Sequence, residues 1–68
     1  MNQDSFEKNW PEMRVQVQGW WDELTDEDLN RVQGKAEQIV ALLQKSYGTS
    51  RRYTEKEYSR RLASAELG

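Results

Sequence analysis

Large apolar side chains recur every three or four positions in the first third of the chain, which is the period of a helix face. They lie at positions 6, 10, 13, 17, 20, 21 and 24. Pro11 disfavours helical geometry at the preceding residue and suits the first turn of a helix. We therefore predict that the regular helix begins near residue 11, and that Phe6 and Trp10 lie in a lead-in segment folded onto the same core.

The segment LTDEDL at residues 24–29 has the pattern of a helix start. Thr25 is a favourable N-cap, and Asp28 stands three positions later, where a capping-box acid reaches back to the cap. Leu24 and Leu29 occupy the two positions of a hydrophobic staple. Acids in a first turn also interact favourably with the helix dipole. We interpret these acids as helix-starting residues rather than as a ligand site.

A second helical pattern continues from Leu29 to Tyr47, and Gly48 follows at a position where glycine commonly ends a helix. One unbroken helix over residues 26–47 would be about 33 Å long. A compact domain of this size has a radius of gyration of only about 11 Å. We therefore predict a break near Gly34, with helices at about 26–32 and 35–47.

The last helical segment has two alternative starts, which are Ser50 alone or Thr54 with Glu57 as a capping box. We place this helix near residues 51–64, with residues 65–68 fraying. Its predicted buried face consists of Thr54, Tyr58, Leu62 and Ala65. Together the segments predict an all-α fold, a single-domain bundle of about four helices over residues 1–68 with an ordered core at about 5–64.

Several kinds of chemistry are excluded by composition. Cysteine and histidine are absent, which removes thiolate nucleophiles, imidazole bases and Cys/His zinc sites. Residues 26–37 place acids at some EF-hand ligand positions, but Arg31 stands where that loop requires glycine. No metal site, no cofactor and no catalytic residue is therefore expected, and the chain is not expected to be an enzyme.

The chain is also polar and short. Its 68 residues are 32% charged, and the mean hydropathy is −1.09. The N-terminal segment MNQDSFEK lacks the basic start and apolar core of a signal peptide. No apolar run approaches the roughly 20 residues that span a bilayer. We expect a cytoplasmic protein without membrane contact.

Charge is distributed unevenly along the chain. Residues 1–34 carry eight acidic and three basic side chains, whereas residues 35–68 carry four acidic and seven basic ones. Arg52, Lys56 and Arg60 recur every four residues and form a basic stripe on the last helix. The stripe is either a solvated face with i,i+4 ion pairs or a surface for an acidic partner such as nucleic acid. The sequence pI of about 5.0 favours the solvated face.

The adjacent tryptophans supply a further candidate contact. Neighbouring residues on a helix point about 100° apart, so Trp20 and Trp21 cannot both point into the core. We assign Trp10 and Trp21 to the core and Trp20 to its edge, where an exposed indole could bind a partner protein. The candidate contact residues are Trp20, Arg51, Arg52, Lys56, Arg60 and Arg61.

Three stretches combine these features at a specific spacing. They are FEKNWPEMRVQVQGWWDELTDEDL at residues 6–29, GKAEQIVALLQKSYG at 34–48, and the TS that follows. In them the chain resembles the CsbD-like family of small bacterial stress-response proteins, over about residues 2–62. Departures from the family pattern are Val15, Asp22 and Ala41 in place of glycines, and Pro11 in place of a helix former.

The resemblance implies a short all-helical domain of two helical hairpins packed crosswise. It also implies a cytosolic bacterial protein induced under general or stationary-phase stress, whose molecular activity is not established. The family supplies no catalytic residues. The leading hypothesis is a non-enzymatic stress protein that acts by contact with another protein or with itself. The alternative is a nucleic-acid-associated module that uses the basic C-terminal helix.

Overall fold

The computed structural model describes residues 1–65, and all regular structure within that range is helical. The helices are α1 (Gln3–Lys8), α2 (Trp10–Trp20), α3 (Asp26–Val32), α4 (Ala36–Tyr47) and α5 (Arg51–Ser64). The all-α prediction is confirmed. The described part has five helices rather than about four, and the crosswise packing of two hairpins stays a prediction. The predicted fraying of residues 65–68 is wrong at Ala65, which is buried in the core and caps α5; residues 66–68 lie outside the described residues.

The additional helix is the lead-in segment itself. Asn2 caps α1, because its Oδ1 accepts a hydrogen bond from the backbone N–H of Ser5 at 2.8 Å. Asn9 separates α1 from α2, and Pro11 lies in the first turn of α2, where its missing N–H leaves no helical bond unmade. Helix α2 thus begins one residue before the predicted start. Trp10 is helical because its burial outweighs the bias that proline imposes on the residue before it.

Helix α3 begins with the predicted capping box. Thr25 Oγ1 accepts from the backbone N–H of Asp28 at 3.1 Å, and Asp28 Oδ2 accepts from the backbone N–H of Thr25 at 3.3 Å. Leu24 and Leu29, the two staple positions, are both buried in the core. The prediction that this acidic segment starts a helix is confirmed.

The predicted break near Gly34 is also confirmed. Gln33 and Gly34 have positive φ angles of 52° and 79°, and they turn the chain from α3 into α4. A Cβ atom on Gly34 would lie 3.2 Å from Cα of Glu7 and 3.3 Å from Cε3 of Trp10. Glycine is therefore required here both for the backbone conformation and for the close packing of the turn against α1 and α2.

Two polar contacts hold α1 against this turn. Lys35 Nζ pairs with Glu7 Oε1 at 2.7 Å, and Gln3 Nε2 donates to the carbonyl oxygen of Gly34 at 2.8 Å. The hydrogen bond from the Lys35 ammonium lowers the pKa of the Glu7 carboxyl below its ordinary value. Helix α1 is thus held by the solvent-accessible ion pair of Glu7 with Lys35 as well as by the buried ring of Phe6.

Helices α4 and α5 are separated by a short turn. Gly48 ends α4 in the left-handed conformation with φ 64°. Ser50 then caps α5, and its Oγ accepts from the backbone N–H of Tyr53 at 3.2 Å. Of the two predicted starts, Ser50 is therefore the observed one. On the predicted buried face of α5, Thr54, Tyr58 and Ala65 are buried and Leu62 is half-buried.

One apolar core joins all five helices. Its buried members are Phe6, Trp10, Met13, Val17, Leu24, Leu29, Val32, Ile39, Val40, Leu43, Tyr58 and Ala65. The ring of Phe6 lies 5.6 Å from that of Trp10 and meets Tyr58 edge to face at 5.9 Å. The hydroxyl of Tyr58 donates to Gln3 Oε1, so that even the polar end of this buried ring ties α5 to α1.

Candidate functional site

The paired tryptophans form a corner at the end of α2, here called the tryptophan corner (Trp20 and Trp21). The two rings pack edge to face at 5.6 Å with an interplanar angle of 89°. Both side chains are half-buried and pack against the core. The prediction that Trp10 belongs to the core is confirmed, since it is 6% exposed.

The prediction that Trp21 belongs to the core is wrong, because Trp21 is half-buried like its neighbour. The reason is that Trp21 lies just beyond the helix, with φ −133° and ψ 88°. The angular separation of neighbouring helical residues therefore does not apply to the pair. The role of Trp20 in partner contact stays a prediction.

Beside the tryptophan corner lies a cleft of about 240 Å³, here called the aromatic cleft. Trp21, Tyr47 and Tyr53 supply its aromatic surfaces. Its polar atoms come from Thr49, Thr54 and Glu57, and Leu43 completes the lining. The cleft thus combines side chains from the end of α2, from α4 and from α5.

Tyr47, the last position of the predicted second helical pattern, is the last residue of α4 and is 41% exposed. It lies in the last turn of α4, one turn beyond the buried Leu43. Its hydroxyl accepts a hydrogen bond from the backbone N–H of Glu23 at 3.3 Å, which ties the end of α4 to the segment that follows the tryptophan corner.

The five predicted basic residues of α5 do not form a single cluster. At 100° per residue, Arg52, Lys56 and Arg60 share the face opposite the buried side chains. Arg51 and Arg61 instead lie seven positions from the buried Tyr58 and Thr54, on the same side of the helix as these two residues. All five are exposed. The face that carries Arg52, Lys56 and Arg60 is called the outer face of α5 below.

Ion pairs neutralise part of this charge. Arg51 pairs with Glu55 at 3.0 Å, and Arg60 pairs with Glu57 at 2.9 Å. The remaining three basic residues, Arg52, Lys56 and Arg61, make no ion pair within residues 1–65. Tyr53 lies beside the outer face and is 56% exposed. The arrangement therefore combines unpaired positive charge with an exposed ring.

The acidic residues of the described part are too dispersed to form a metal site. Asp26 and Glu37, the ends of the EF-hand-like segment, lie in different helices, α3 and α4. No group of three or more carboxylates is arranged to hold a metal ion among the described residues. The described helices are also too short and too polar to cross a membrane.

Tyr58, whose pKa is raised, serves packing rather than chemistry. Burial raises the pKa of the Tyr58 hydroxyl to about 12. The ring belongs to the core, and the hydroxyl is occupied by its hydrogen bond to Gln3. This phenol therefore stays protonated at neutral pH and is not available as an acid or a base.

Relatives of the chain cover most of its length. It is 40% identical over 58 residues to a UPF0337 protein of Protochlamydia amoebophila, across 85% of this chain and 88% of that protein. It is 37% identical over 57 residues to the UPF0337 protein YjbJ of Escherichia coli, across 84% and 83% of the two chains. The chain belongs to the CsbD-like (UPF0337) family.

A UPF0337 protein of Pectobacterium atrosepticum matches at 37% identity over 57 residues as well. No family model matches the chain, and no solved structure matches it. The identity to these UPF0337 relatives confirms the resemblance to the CsbD-like family. The names of the UPF0337 relatives state no enzymatic activity.

The sequence prediction missed most of the aromatic cleft. Trp21 had been assigned to the core, and Tyr47 only to the end of a helical pattern. Tyr53 had no assigned contact, and Glu57 had been considered only for a capping box. The spacing of Tyr53 and Glu57, one helical turn apart, is the one local signal that could have paired them. Nothing local pairs that turn with Trp21, because the two segments are more than thirty residues apart in sequence.

Proposed function

We propose that this CsbD-like protein is a non-enzymatic, cytoplasmic bacterial stress-response protein that acts by contact with another protein or with a second copy of itself. The observation that supports this proposal is the concentration of accessible aromatic surface at one place. The half-buried tryptophan corner adjoins the aromatic cleft, where Tyr47 and Tyr53 are 41% and 56% exposed. Aromatic side chains of this kind carry a large share of the binding energy in protein interfaces.

The acidic segment supports the non-enzymatic part of the proposal. Asp28 makes both hydrogen bonds of the capping box with Thr25, one through its carboxylate and one through its backbone N–H. A catalytic carboxylate needs a cleft and a desolvated environment that raises its pKa. Here Asp26 and Glu27 are exposed to solvent in the first turn of α3 and lie in no such cleft.

Affinity capture from stressed bacterial cells tests this proposal. Wild-type protein is compared with Trp20→Ala, and with Val15→Ala as a matched control, because Val15 is a 70% exposed apolar residue of the same helix. We expect wild type and Val15→Ala to retain a partner protein or a second copy, and Trp20→Ala to lose most of it. Truncation of an interface hot spot weakens binding by roughly 30-fold or more. Equal recovery with all three proteins, or recovery with none, would contradict the proposal.

A second candidate function is association with nucleic acid through the outer face of α5. It is favoured by the exposed Tyr53 beside Arg52 and Lys56, neither of which makes an ion pair within the described residues. Basic side chains that follow a phosphate backbone, together with rings on which bases stack, are typical of single-strand binding. Anisotropy of a labelled single-stranded oligonucleotide should then rise with protein and fall steeply with salt. A flat titration at low salt rules this candidate out.

A further inference from the structure

We propose that the aromatic cleft receives a positively charged side chain of a partner protein, arginine in preference to lysine. The inference rests on the proposed action by protein contact and names the chemistry of the group that is bound. Three features of the cleft carry it: its aromatic surfaces, the hydrogen-bonding state of its polar atoms, and its size.

The aromatic surfaces come from one indole and two phenol rings, those of Trp21, Tyr47 and Tyr53. The faces of such rings carry negative potential and attract cations, with tryptophan the strongest of the three types. A guanidinium group is planar and weakly hydrated, and it stacks on rings more readily than an ammonium group does. Aromatic surface at a cleft therefore favours arginine.

The two threonine hydroxyls of the cleft are in a state to accept hydrogen bonds. The hydroxyl of Thr54 donates to the carbonyl oxygen of Ser50 at 2.8 Å. Because Thr54 has one proton, the 2.7 Å contact between the two threonine hydroxyls must have Thr49 as its donor. Both protons are thus engaged within the turn. What these two hydroxyls offer a ligand is oxygen lone pairs, which suit an N–H donor.

Glu57 adds a charged acceptor to the same lining. Its side chain is 26% exposed, and Oε2 accepts from Arg60 at 2.9 Å. Oε1 accepts no hydrogen bond from residues 1–65. The carboxylate can therefore bind a second guanidinium without releasing Arg60. Charge-assisted hydrogen bonds of this type are roughly twice as strong as neutral ones.

The size and the surroundings of the cleft agree with a side chain as occupant. Its volume of about 240 Å³ lies below the roughly 300–1,000 Å³ of clefts that enclose drug-sized ligands. Asp22 and Glu23 directly follow Trp21 and are exposed, and the backbone of Glu23 contacts Tyr47. This backbone contact places the acidic segment beside the cleft, and negative charge there raises the local concentration of cations.

The test uses N-acetyl-arginine amide as the probe and N-acetyl-citrulline amide as its neutral isostere. The ¹⁵N-labelled protein has three indole N–H signals, from Trp10, Trp20 and Trp21, which report separately on the core, the edge of the corner and the cleft. We expect saturable shifts with the arginine probe at the Trp21 indole and the Thr49 amide, and none with citrulline. Equal shifts with both probes, or no shift at Trp21, would overturn the inference.

Matched variants separate the cleft from the rest of the surface. Glu57→Gln should weaken binding of the arginine probe about fivefold, as expected for a partly solvated charge pair. Glu55→Gln is the control, because Glu55 is ion-paired on the same helix but is not part of the cleft. Trp21→Phe is compared in the same way with Val15→Ala, at an exposed position of α2 that is not part of the cleft. Equal effects within either pair, in proteins that melt normally, would show that the cleft is not the binding site.

A third arm distinguishes a protein side chain from a free cation. The peptide Gly-Ser-Arg-Ser-Gly should bind at least as tightly as the single amino acid amide, and tetramethylammonium should bind more weakly than either. Tighter binding of tetramethylammonium would overturn the assignment to a protein partner. If the wild-type protein does not bind the arginine probe but still captures a partner through Trp20, this inference alone is contradicted. If it binds the arginine probe but captures no partner, the proposed function is contradicted.

Discussion

Replacement of Gly34 by alanine tests the packing of the α3–α4 turn. The substitution adds one methyl group at a position with φ 79°, where it would meet the backbone of Glu7 at 3.2 Å and the ring of Trp10 at 3.3 Å. Backbone atoms cannot move aside as a flexible side chain can. The methyl group must therefore displace α1 from the turn or force the turn into another conformation.

Two terms set the size of the effect. An L-residue in the left-handed conformation costs about 1–2 kcal/mol relative to glycine, and overpacking adds typically 1–3 kcal/mol. Gly34→Ala should thus destabilise the protein by roughly 2–5 kcal/mol. A domain of this size has a total stability of only about 3–10 kcal/mol, so the melting temperature should fall by more than about 10 °C.

The other glycines of the described part provide matched controls. Gly48→Ala has the same backbone strain at φ 64° but no atom within 4 Å of the added Cβ, and should cost only about 1–2 kcal/mol. Gly19→Ala lies in α2 with nothing within 4 Å, and should stabilise by roughly 0.5–1 kcal/mol. Urea denaturation followed by circular dichroism measures all three. Equal losses for Gly34→Ala and Gly48→Ala would refute the close packing of the turn.

Three further predictions concern single side chains. Thr25→Ala should cost about 1 kcal/mol through the lost cap, and an unchanged melting temperature would contradict the capping box. The pKa of Glu7 is lowered by Lys35, so the wild type should lose stability as the pH falls below the ordinary pKa of a glutamate. Glu7→Gln should lose less stability over the same pH range. Tyr58 has a pKa raised to about 12, so wild type should lose of order 2 kcal/mol between pH 10 and 12. Tyr58→Phe should lack that loss; denaturant titrations across pH check both residues.

Local sequence signals predicted the helix ends well. The capping box at Thr25 and Asp28, the break at Gly34 and the end of α4 at Gly48 are all observed. Each depends on a backbone conformation or a hydrogen bond between residues within a few positions of one another. Local residue types are enough to indicate such features, although the turn at Gly34 also packs closely against the distant residues Glu7 and Trp10.

The predictions that failed concern positions where tertiary packing decides whether a residue is helical or buried. The rule for residues before proline placed Trp10 outside the helix, but its burial in the core keeps it helical. Helical periodicity placed Trp21 in the core, although it lies just beyond the end of α2. Periodicity also gave no sign that Tyr47, one turn past the buried Leu43, would be exposed. A periodic pattern shows which face of a helix is apolar, but not how far along that face the core extends.

The candidate site was the least predictable part, since it depends on contacts between distant segments. The α1 contacts join Gln3 to Gly34 and Glu7 to Lys35. The aromatic cleft likewise needs Trp21 brought to the turn between α4 and α5. A single sequence contains the right residue types for such a cleft without indicating which of them meet.

The role of the acids after Trp21 is tested most directly by the unfolding free energy of Asp28→Ala, with Asp22→Ala as the exposed control outside the capping box. If these acids serve to begin α3, Asp28→Ala lowers the stability by about 1 kcal/mol, and Asp22→Ala changes it by less than about 0.5 kcal/mol. If the acids instead formed a ligand site, their negative charges would repel one another, and removing one of them would raise the stability. A rise in stability for Asp28→Ala would therefore contradict the proposed role.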